Sequence, residues 1–311
     1  MAGIKKYFEL HARQWIADSY RDDGYNYPVA FHRARIVSKF VSGLDRSKLK
    51  IIDLGCGGGD VTFNLARDGH EVLGIDRSWE MINLARARRA SLPRRIQSRV
   101  RFLRGAVESV NSDEKFDVAV AMGLVGYLPD DEILFNAANK LLKPKGYFLV
   151  SCRNRLFNMN SISFRTKKEI KNGEAVRLIA ELEKLYTRIP AKDADAFVKD
   201  LKKIAKDLPP KTSFNKKLTL SASEKYCPDT TTLNREPRQN TPQQLQKTAS
   251  KCGFRHKAYF GVHPHLMDPN ANKAFPPQLF NKISSSLEAL EHLPISLVWS
   301  SVFIGAFQKI K

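Results

Sequence analysis

The sequence predicts an α/β protein: a doubly wound, mostly parallel seven-stranded sheet with an antiparallel last strand, plus a helical insertion. Three observations predict it. Short apolar runs and helical segments alternate five times between Lys50 and Cys152, which implies right-handed crossovers and parallel strands. The first run, Ile51-Ile52-Asp53-Leu54, stops abruptly at Gly55, Gly57 and Gly59, the signature of a buried strand turning into a helix. The last apolar run, Val298 to Gln308, follows a helical stretch at Ile283 to Leu293, so it returns antiparallel at or next to the sheet edge.

Residues 1–27 are polar and aromatic, with Trp15, Tyr20, Tyr25 and Tyr27, and read as a cover segment. Pro28 suits the first turn of a helix that places Val29, Ile36, Val37, Phe40 and Val41 on one face. The core begins there and runs to about residue 160. After the glycine turn, Val61 and Leu65 mark a helix that stops at Gly69, and Glu71 to Asp76 is the second strand. Ser78 caps a helix with Met81, Leu84 and Ala85 on one side and Arg86, Arg88 and Arg89 toward its end. Val100–Arg104 is the third strand, with Gly105 to Glu108 in the turn after it, and Phe116 to Met122 the fourth, with Gly123 following. Asp130, Asp131 and Glu132 open the next helix, where dipole complementation explains their charge without a metal. A Lys143-Pro144-Lys145-Gly146 turn then leads into a fifth strand, Tyr147–Cys152.

From 165 to 223 the sequence becomes Lys-rich and helical, with Leu178, Leu182 and Leu185 at helical spacing. We expect an inserted subdomain, a lid or acceptor-specificity element. Residues 224–311 return to the sheet: Thr241-Pro242-Gln243-Gln244 carries a capping box with proline at the first helical position. That helix runs to Gly253, and Phe254 to His263 is the sixth strand.

With 311 residues, 42% of them hydrophobic, the chain buries a substantial core. Cysteines 56, 152, 227 and 252 lack close-paired spacing and the N-terminus does not resemble a secretion signal, so a reduced cytoplasm is expected. The apolar stretch Leu293 to Phe307 is broken by Pro294 and serines and is too short for a bilayer; we read it as a buried strand and expect no membrane partner. A net charge of +20 favours acidic company, from nucleic acid to a phosphorylated small molecule. Eight arginines between Arg86 and Arg104, and 15 basic against 8 acidic residues from 165 to 217, carry much of it; a solvated basic face accounts for both.

The glycine turn places strand-end backbone and helix N–H groups against a ligand, and Asp76 stands at the distance at which an acid takes ribose hydroxyls. A G-x-G-x-x-G turn would need glycine where Asp60 stands, which disfavours a dinucleotide. Asp53-Leu54-Gly55-Cys56-Gly57-Gly58-Gly59 with Ile75-Asp76-Arg77-Ser78 resembles the cofactor motif of class I S-adenosylmethionine-dependent methyltransferases, which have a Rossmann-like fold. The resemblance covers residues 30–155 well and 240–310 loosely. It implies that Asp53, Gly55, Cys56 and Gly57 hold the methionine part of S-adenosyl-L-methionine, that Asp76 and Arg77 hold the ribose end, and that Met81, Val107 or Glu108 meet the adenine. Ala106 stands where the family often has an acid. Met122 and Gly123 match the place where cofactor and acceptor meet.

Methyl transfer from a sulfonium needs positioning and, for a weakly acidic acceptor, a base. His263 and His265, flanking Pro264 beyond the sixth strand, are the candidate bases; Tyr20 and Tyr27 of the cover and Arg153 after the fifth strand are candidate acceptor contacts, Arg153 for an acidic acceptor. A small-molecule acceptor is the leading expectation: a sugar, a nucleotide-linked sugar or a secondary metabolite. An RNA methyltransferase and an inactive cofactor-binding protein are the alternatives. Against nucleic acid, the fourth strand ends in Ala121-Met122-Gly123-Leu124 rather than the Asn/Asp-Pro-Pro-aromatic motif of base N-methylation. The sequence does not fix the oligomeric state.

Overall fold

The computed structural model describes residues 10, 27–44, 47–206, 236–269 and 276–311. In chain order its elements are α1 (Val29–Ser42), β1 (Lys50–Leu54), α2 (Asp60–Arg67), β2 (Glu71–Asp76), α3 (Trp79–Ala90), α4 (Arg94–Gln97), β3 (Val100–Arg104), β4 (Phe116–Ala121), α5 (Asp131–Leu141) and β5 (Leu142–Arg153). There follow α6 (Phe157–Asn160), α7 (Phe164–Lys171), α8 (Ala175–Glu183), α9 (Ala191–Lys206), α10 (Pro242–Lys251), β6 (Phe254–Pro264), α11 (Pro277–Ser285), α12 (Ser296–Trp299) and β7 (Ser300–Lys309). The strands form one sheet in the order β3-β2-β1-β4-β5-β7-β6. β1 to β5 pair in parallel, and β7 runs antiparallel between β5 and β6. The expected doubly wound sheet with an antiparallel last strand is the one observed.

Alternate residues of the central strands feed two cores. Ile52, Leu54, Phe148 and Phe303 pack under α5 and α10 on one face, where Phe135 stands edge-on to Phe148 and Phe307 at 5.2 and 5.5 Å. Ile51, Val118, Leu149 and Ile304 pack on the other face with Ile36, Val37 and Val41 of α1 and Phe63 and Leu65 of α2. A fully buried leucine or phenylalanine contributes roughly 1.5–3 kcal/mol of transfer free energy, so these two layers dominate the stability of the sheet. Because β6 and β5 both run against β7, the carboxyl ends of β1, β2, β4, β5 and β6 lie along one edge.

Three local expectations are corrected. β5 begins at Leu142, directly after α5: Lys143 to Gly146 is an irregularity inside the strand, with a register shift against Phe116 and Val118 and Lys145 at φ +61°. The stretch from Leu293 is not strand throughout. Pro294 starts a helical turn, α12, whose Ser296 hydroxyl lies against the Glu291 and Leu293 carbonyls, and β7 begins only at Ser300. The preceding helix starts at Pro277, six residues before Ile283, because proline sits at its first position.

Of the expected insertion, the described part holds α7, α8 and α9. Leu178 is fully buried, and Arg155 grips Glu169 at 2.9 and 2.6 Å, with Asn158 donating to the same carboxylate at 2.9 Å. α9 has no buried residue and lies along the turn Ser286–Leu290. The chain comes back through Asn240, bridged to Asn154 in parallel.

Candidate active site

The glycine turn is built by backbone that only glycine adopts freely. Gly55 and Gly57 have φ +75° and +52°, and a Cβ on Gly55 would meet Leu124 Cδ2 at 3.1 Å. The amides of Gly55 and Cys56 both donate to the Ile75 carbonyl, at 2.8 and 3.0 Å, which locks the end of β1 to the end of β2. Asp76 clips the turn to the next helix: its Oδ2 accepts from Gly57 N–H at 3.0 Å and its Oδ1 from Ser78 N–H at 2.8 Å. Burial raises its pKa above the usual carboxylate value, and the amide hydrogen bonds pull it back. Each oxygen keeps a further lone pair for a ligand hydroxyl.

Asp53 lies one layer deeper. It is buried, accepts from Thr62 Oγ1 at 2.7 Å, and burial pushes it up to about 7, partly offset by the Thr62 hydrogen bond and reinforced by Asp76. Cys56 is also buried and its thiol is pushed well up by desolvation, which makes it packing rather than a nucleophile. Met81 is 3% exposed and its sulfur stands 3.9 Å from where a Gly57 Cβ would be, so it supports the turn from beneath. Val107 is buried in the core, and the exposed Glu108 meets Arg77 at 3.5 Å, an exposed pair of the sort that contributes at most about 1 kcal/mol. Together these two side chains flank the Asp76 end of the cradle.

At the end of β4, where the acceptor is expected, Met122 is half-buried and Gly123 sits at φ +86°. Its N–H donates to Ser151 Oγ at 2.7 Å, and a Cβ there would lie 3.0 Å from Arg33 Nη1. Arg33 comes from α1 and was not singled out by the sequence. His263, at φ +56°, stacks on Tyr27 at 4.6 Å and lies 4.4 Å from His265. Desolvation holds its imidazole well below the usual histidine value, reinforced by His265, Arg33, His32 and Arg153. The two candidate bases differ little in burial: His263 is half-buried as a residue with its imidazole desolvated, and His265 is 7% exposed. His265 packs against Phe157 at 4.7 Å and its two nitrogens have no hydrogen-bond partner among the described residues. Burial pushes it down to about 4. Tyr20 lies outside the described residues.

Tyr27 is buried and donates to Glu288 Oε1 at 2.5 Å; burial first, then Glu288, raises its phenol well above the usual value. Its other face stacks on His32 at 4.9 Å, and His32 Nδ1 lies 2.9 Å from Glu288 Oε2. Arg35 binds both Glu288 and the buried Glu291. This network joins residues more than 250 positions apart, and no local pattern announces it. Asp131 does more than face a helix dipole: it is buried, pairs with Arg238 and accepts from Asn240 at 2.7 Å, anchoring the returning chain. Among the described residues no three His, Cys, Asp or Glu side chains are placed to hold a metal.

The arginine cluster is spent mostly on the protein itself. Arg86 donates to the Phe102 carbonyl, Arg89 to Gln97, Arg99 to Ala66, and Arg88 to the Gly58 carbonyl and Asp60. No helix among the described residues is long and apolar enough to cross a membrane.

The cradle fits S-adenosylmethionine: beside Gly57 a Cβ would meet no atom nearer than Met81 sulfur, and the half-buried Asp76 carboxylate lies at the turn, with buried Asp53 behind it. The comparisons agree. Over 131 residues the chain is 34% identical to an ubiquinone biosynthesis O-methyltransferase of Bartonella tribocorum, covering 41% of this chain and 52% of that protein. It is 30% identical over 155 residues to the one of Leptothrix cholodnii, covering 49% and 63%. The chain thus spans between about half and just under two thirds of these relatives' length. In fold it is similar to magnesium protoporphyrin IX methyltransferase from Synechocystis PCC 6803, solved with bound S-adenosylhomocysteine (TM-score 0.54, 13% identity, 98% of each chain). It is equally similar to the CcbJ methyltransferase from Streptomyces caelestis (TM-score 0.54, 15% identity, 98% of each chain). A family model described as a methyltransferase domain matches residues 45–207, more than half of the sequence, and the chain belongs to the class I S-adenosylmethionine-dependent methyltransferases.

Proposed function

We propose that the protein transfers a methyl group from S-adenosylmethionine to an oxygen of a small-molecule acceptor, a sugar, nucleotide-linked sugar or secondary metabolite, held at the carboxyl edge of β4, β5 and β6. The observation that carries this reading is the Asp76 clip, which joins the glycine turn to α3 through Gly57 and Ser78 and leaves acceptor capacity for two ribose hydroxyls. The O-methyltransferase names of the relatives support oxygen as the methylated atom. When bound, the cofactor supplies a methyl carbon on a sulfonium; the acceptor oxygen bonds to that carbon as the carbon–sulfur bond breaks and its electron pair stays on sulfur.

The chain's own part is to hold the acceptor and take its proton. Gly123, lacking a side chain, admits the acceptor close to the end of β4, with Ser151 fixing the backbone there. His263 is neutral at pH 7 and accepts the proton of the attacking hydroxyl. Tyr27 and His265, which both pack against the His263 ring, restrict its orientation and keep water away. Asp53, Gly55, Cys56 and Gly57 hold the methionine part, Asp76 and Arg77 the ribose end, and Val107 and Glu108 the adenine side above Met81.

Calorimetry tests this. The protein should bind S-adenosylmethionine and S-adenosylhomocysteine, and Asp76→Ala should weaken binding by about 1.5–3 kcal/mol, the range for a hydrogen bond to a charged group. Unchanged affinity in a folded Asp76→Ala protein removes the ribose assignment.

The insertion, residues 165–223, serves in this reading as a lid or acceptor-specificity element, since it leaves the ligand edge after β5. Because Leu178 and Glu169 anchor its first two helices, the informative deletion spares them. Replacing residues 187–223 with a short Gly/Ser linker should leave cofactor affinity unchanged and lower turnover at least tenfold. A deletion protein with full turnover would show that the segment is an appendage.

A further inference from the structure

We propose that the acceptor is an anion, and that Arg153 and Arg33 hold its carboxylate or phosphate group beside His263. The inference rests on the methyltransferase reading and deepens it by naming the acceptor class.

Four observations converge. Arg153, the last residue of β5, stands directly opposite Val302, which stands opposite Val262. Directly paired residues share a face, so Arg153 lies on the α1 side of the sheet, one strand from the end of β6. It is half-buried, yet among the described residues its guanidinium has neither a carboxylate nor a hydrogen-bond partner. Other half-buried arginines nearby are matched to acids: Arg35 to Glu288 and Glu291, Arg155 to Glu169, Arg238 to Asp131. Second, Arg33 approaches from α1, with its Nη1 3.0 Å from the place of a Gly123 side chain, so a second guanidinium reaches the transfer position itself. Third, two acids after α11 are committed to other groups, Glu288 to Tyr27, His32 and Arg35, and Glu291 to Arg35 and Lys39. Fourth, the charged groups that act most strongly on His263 are basic, His265 from its own strand end, Arg33 and His32 from α1 and Arg153 from β5, while the acids near it, Glu288 behind Tyr27 and Asp268 beside His265, stand behind those neighbours. A partly desolvated guanidinium without a counter-ion recognises carboxylate or phosphate through charge-assisted, bidentate hydrogen bonds.

The arrangement also serves the chemistry. An anion seated between Arg33 and Arg153 offsets the positive surroundings of His263 and makes its protonated form easier to reach, so the acceptor's own charge improves the base. Uncharged analogues are then poor in turnover as well as in binding.

The test titrates benzoate, phenyl phosphate and benzamide into the full chain, with and without S-adenosylhomocysteine, while following the histidine ring resonances by NMR. His263→Gln assigns the His263 signal. The expected result is saturable binding of benzoate or phenyl phosphate, a shift of the His263 titration to higher pH, no such effect from benzamide, and at least tenfold weaker anion binding in Arg153→Gln. The tighter of the two anions identifies the group recognised. Arg153→Gln should bind S-adenosylhomocysteine as the unaltered protein does, which separates this proposal from the cofactor reading. Absence of saturable anion binding, benzamide binding as tightly as benzoate, or Arg153→Gln binding anions undiminished would each overturn it.

Discussion

Replacing Asp53 by asparagine should raise stability at pH 8 by on the order of 4 kcal/mol and leave it nearly unchanged at pH 4. Asp53 is fully buried and titrates at about 7 in the folded chain against an ordinary value of 3.8. Between those values the folded state keeps a proton that the unfolded state has released, so stability falls as pH rises from about 4 to 7 and then levels off. Roughly three units at 1.36 kcal/mol each give the magnitude. Asparagine keeps an oxygen for the Thr62 hydroxyl and removes the charge. Urea unfolding at pH 4.5 and 8 measures both proteins. If the variant loses as much stability across that range as the original, the cost does not reside in Asp53. The same substitution should weaken S-adenosylmethionine binding, because a carboxylate held at a disadvantage in the free protein is relieved when a cationic ligand arrives.

His263→Ala should lower turnover by about a hundredfold or more while cofactor affinity holds, the range for loss of a general base. Desolvation and the cations around it hold the imidazole well below the ordinary histidine range, so turnover of the unaltered protein should be flat from pH 8 to 6.5 and fall only in more acid solution. Linkage runs the same way: the unfolded histidine takes up its proton near 6.5 and the folded one only at lower pH, so folding is penalised as pH drops below 6.5. His265→Ala should behave differently. Its buried ring touches Phe157 and His263, so its loss should show first as a lower melting temperature, with turnover affected through the looseness of its neighbour. A folded His263→Ala protein with normal turnover would leave positioning, or another residue, to carry the reaction.

The parts of this fold that were legible in the sequence are those whose cause is local. The glycine turn, the Ser78 cap and the Thr241–Gln244 capping box each occupy a few consecutive residues, and each appears as expected. The bounds of β2 and β3 coincide with the apolar runs that predicted them. Even the antiparallel direction of β7 was readable, since a return without a crossover leaves no other choice. The misplacements at β5 and α12 arise where proline signals were weighed as punctuation while the partner strand set the register. The chemistry of the acceptor side was the least legible. Arg33, His32, Arg35, Glu288 and Glu291 are ordinary charged residues on two helical segments, and only the packing of α1 against the turn before α12 brings them to Tyr27 and His263. Arg153 was visible as a strand-end cation, but its having no partner among the described residues is a property of the folded chain.

The seam at Asn154 and Asn240 has a consequence for how such a protein changes. The two residues bridge, Arg155 N–H donates to the Asn240 carbonyl at 3.0 Å, and Asn240 N–H donates to the Arg153 carbonyl at 3.2 Å. The chain therefore leaves and returns through a mouth already closed by strand-like hydrogen bonds. Closing a loop costs about 0.6 kcal/mol per doubling of its length, so an eightfold change in size alters the fold by only about 2 kcal/mol. The seam is a graft point: beyond the Glu169 and Leu178 anchors and before Arg238, the segment can be traded for another of very different length while the cofactor cradle, built wholly before it, stays as it is. Selection for a new acceptor can thus act on one exchangeable cassette and on the few side chains beside its mouth, of which Arg153 is the nearest in sequence.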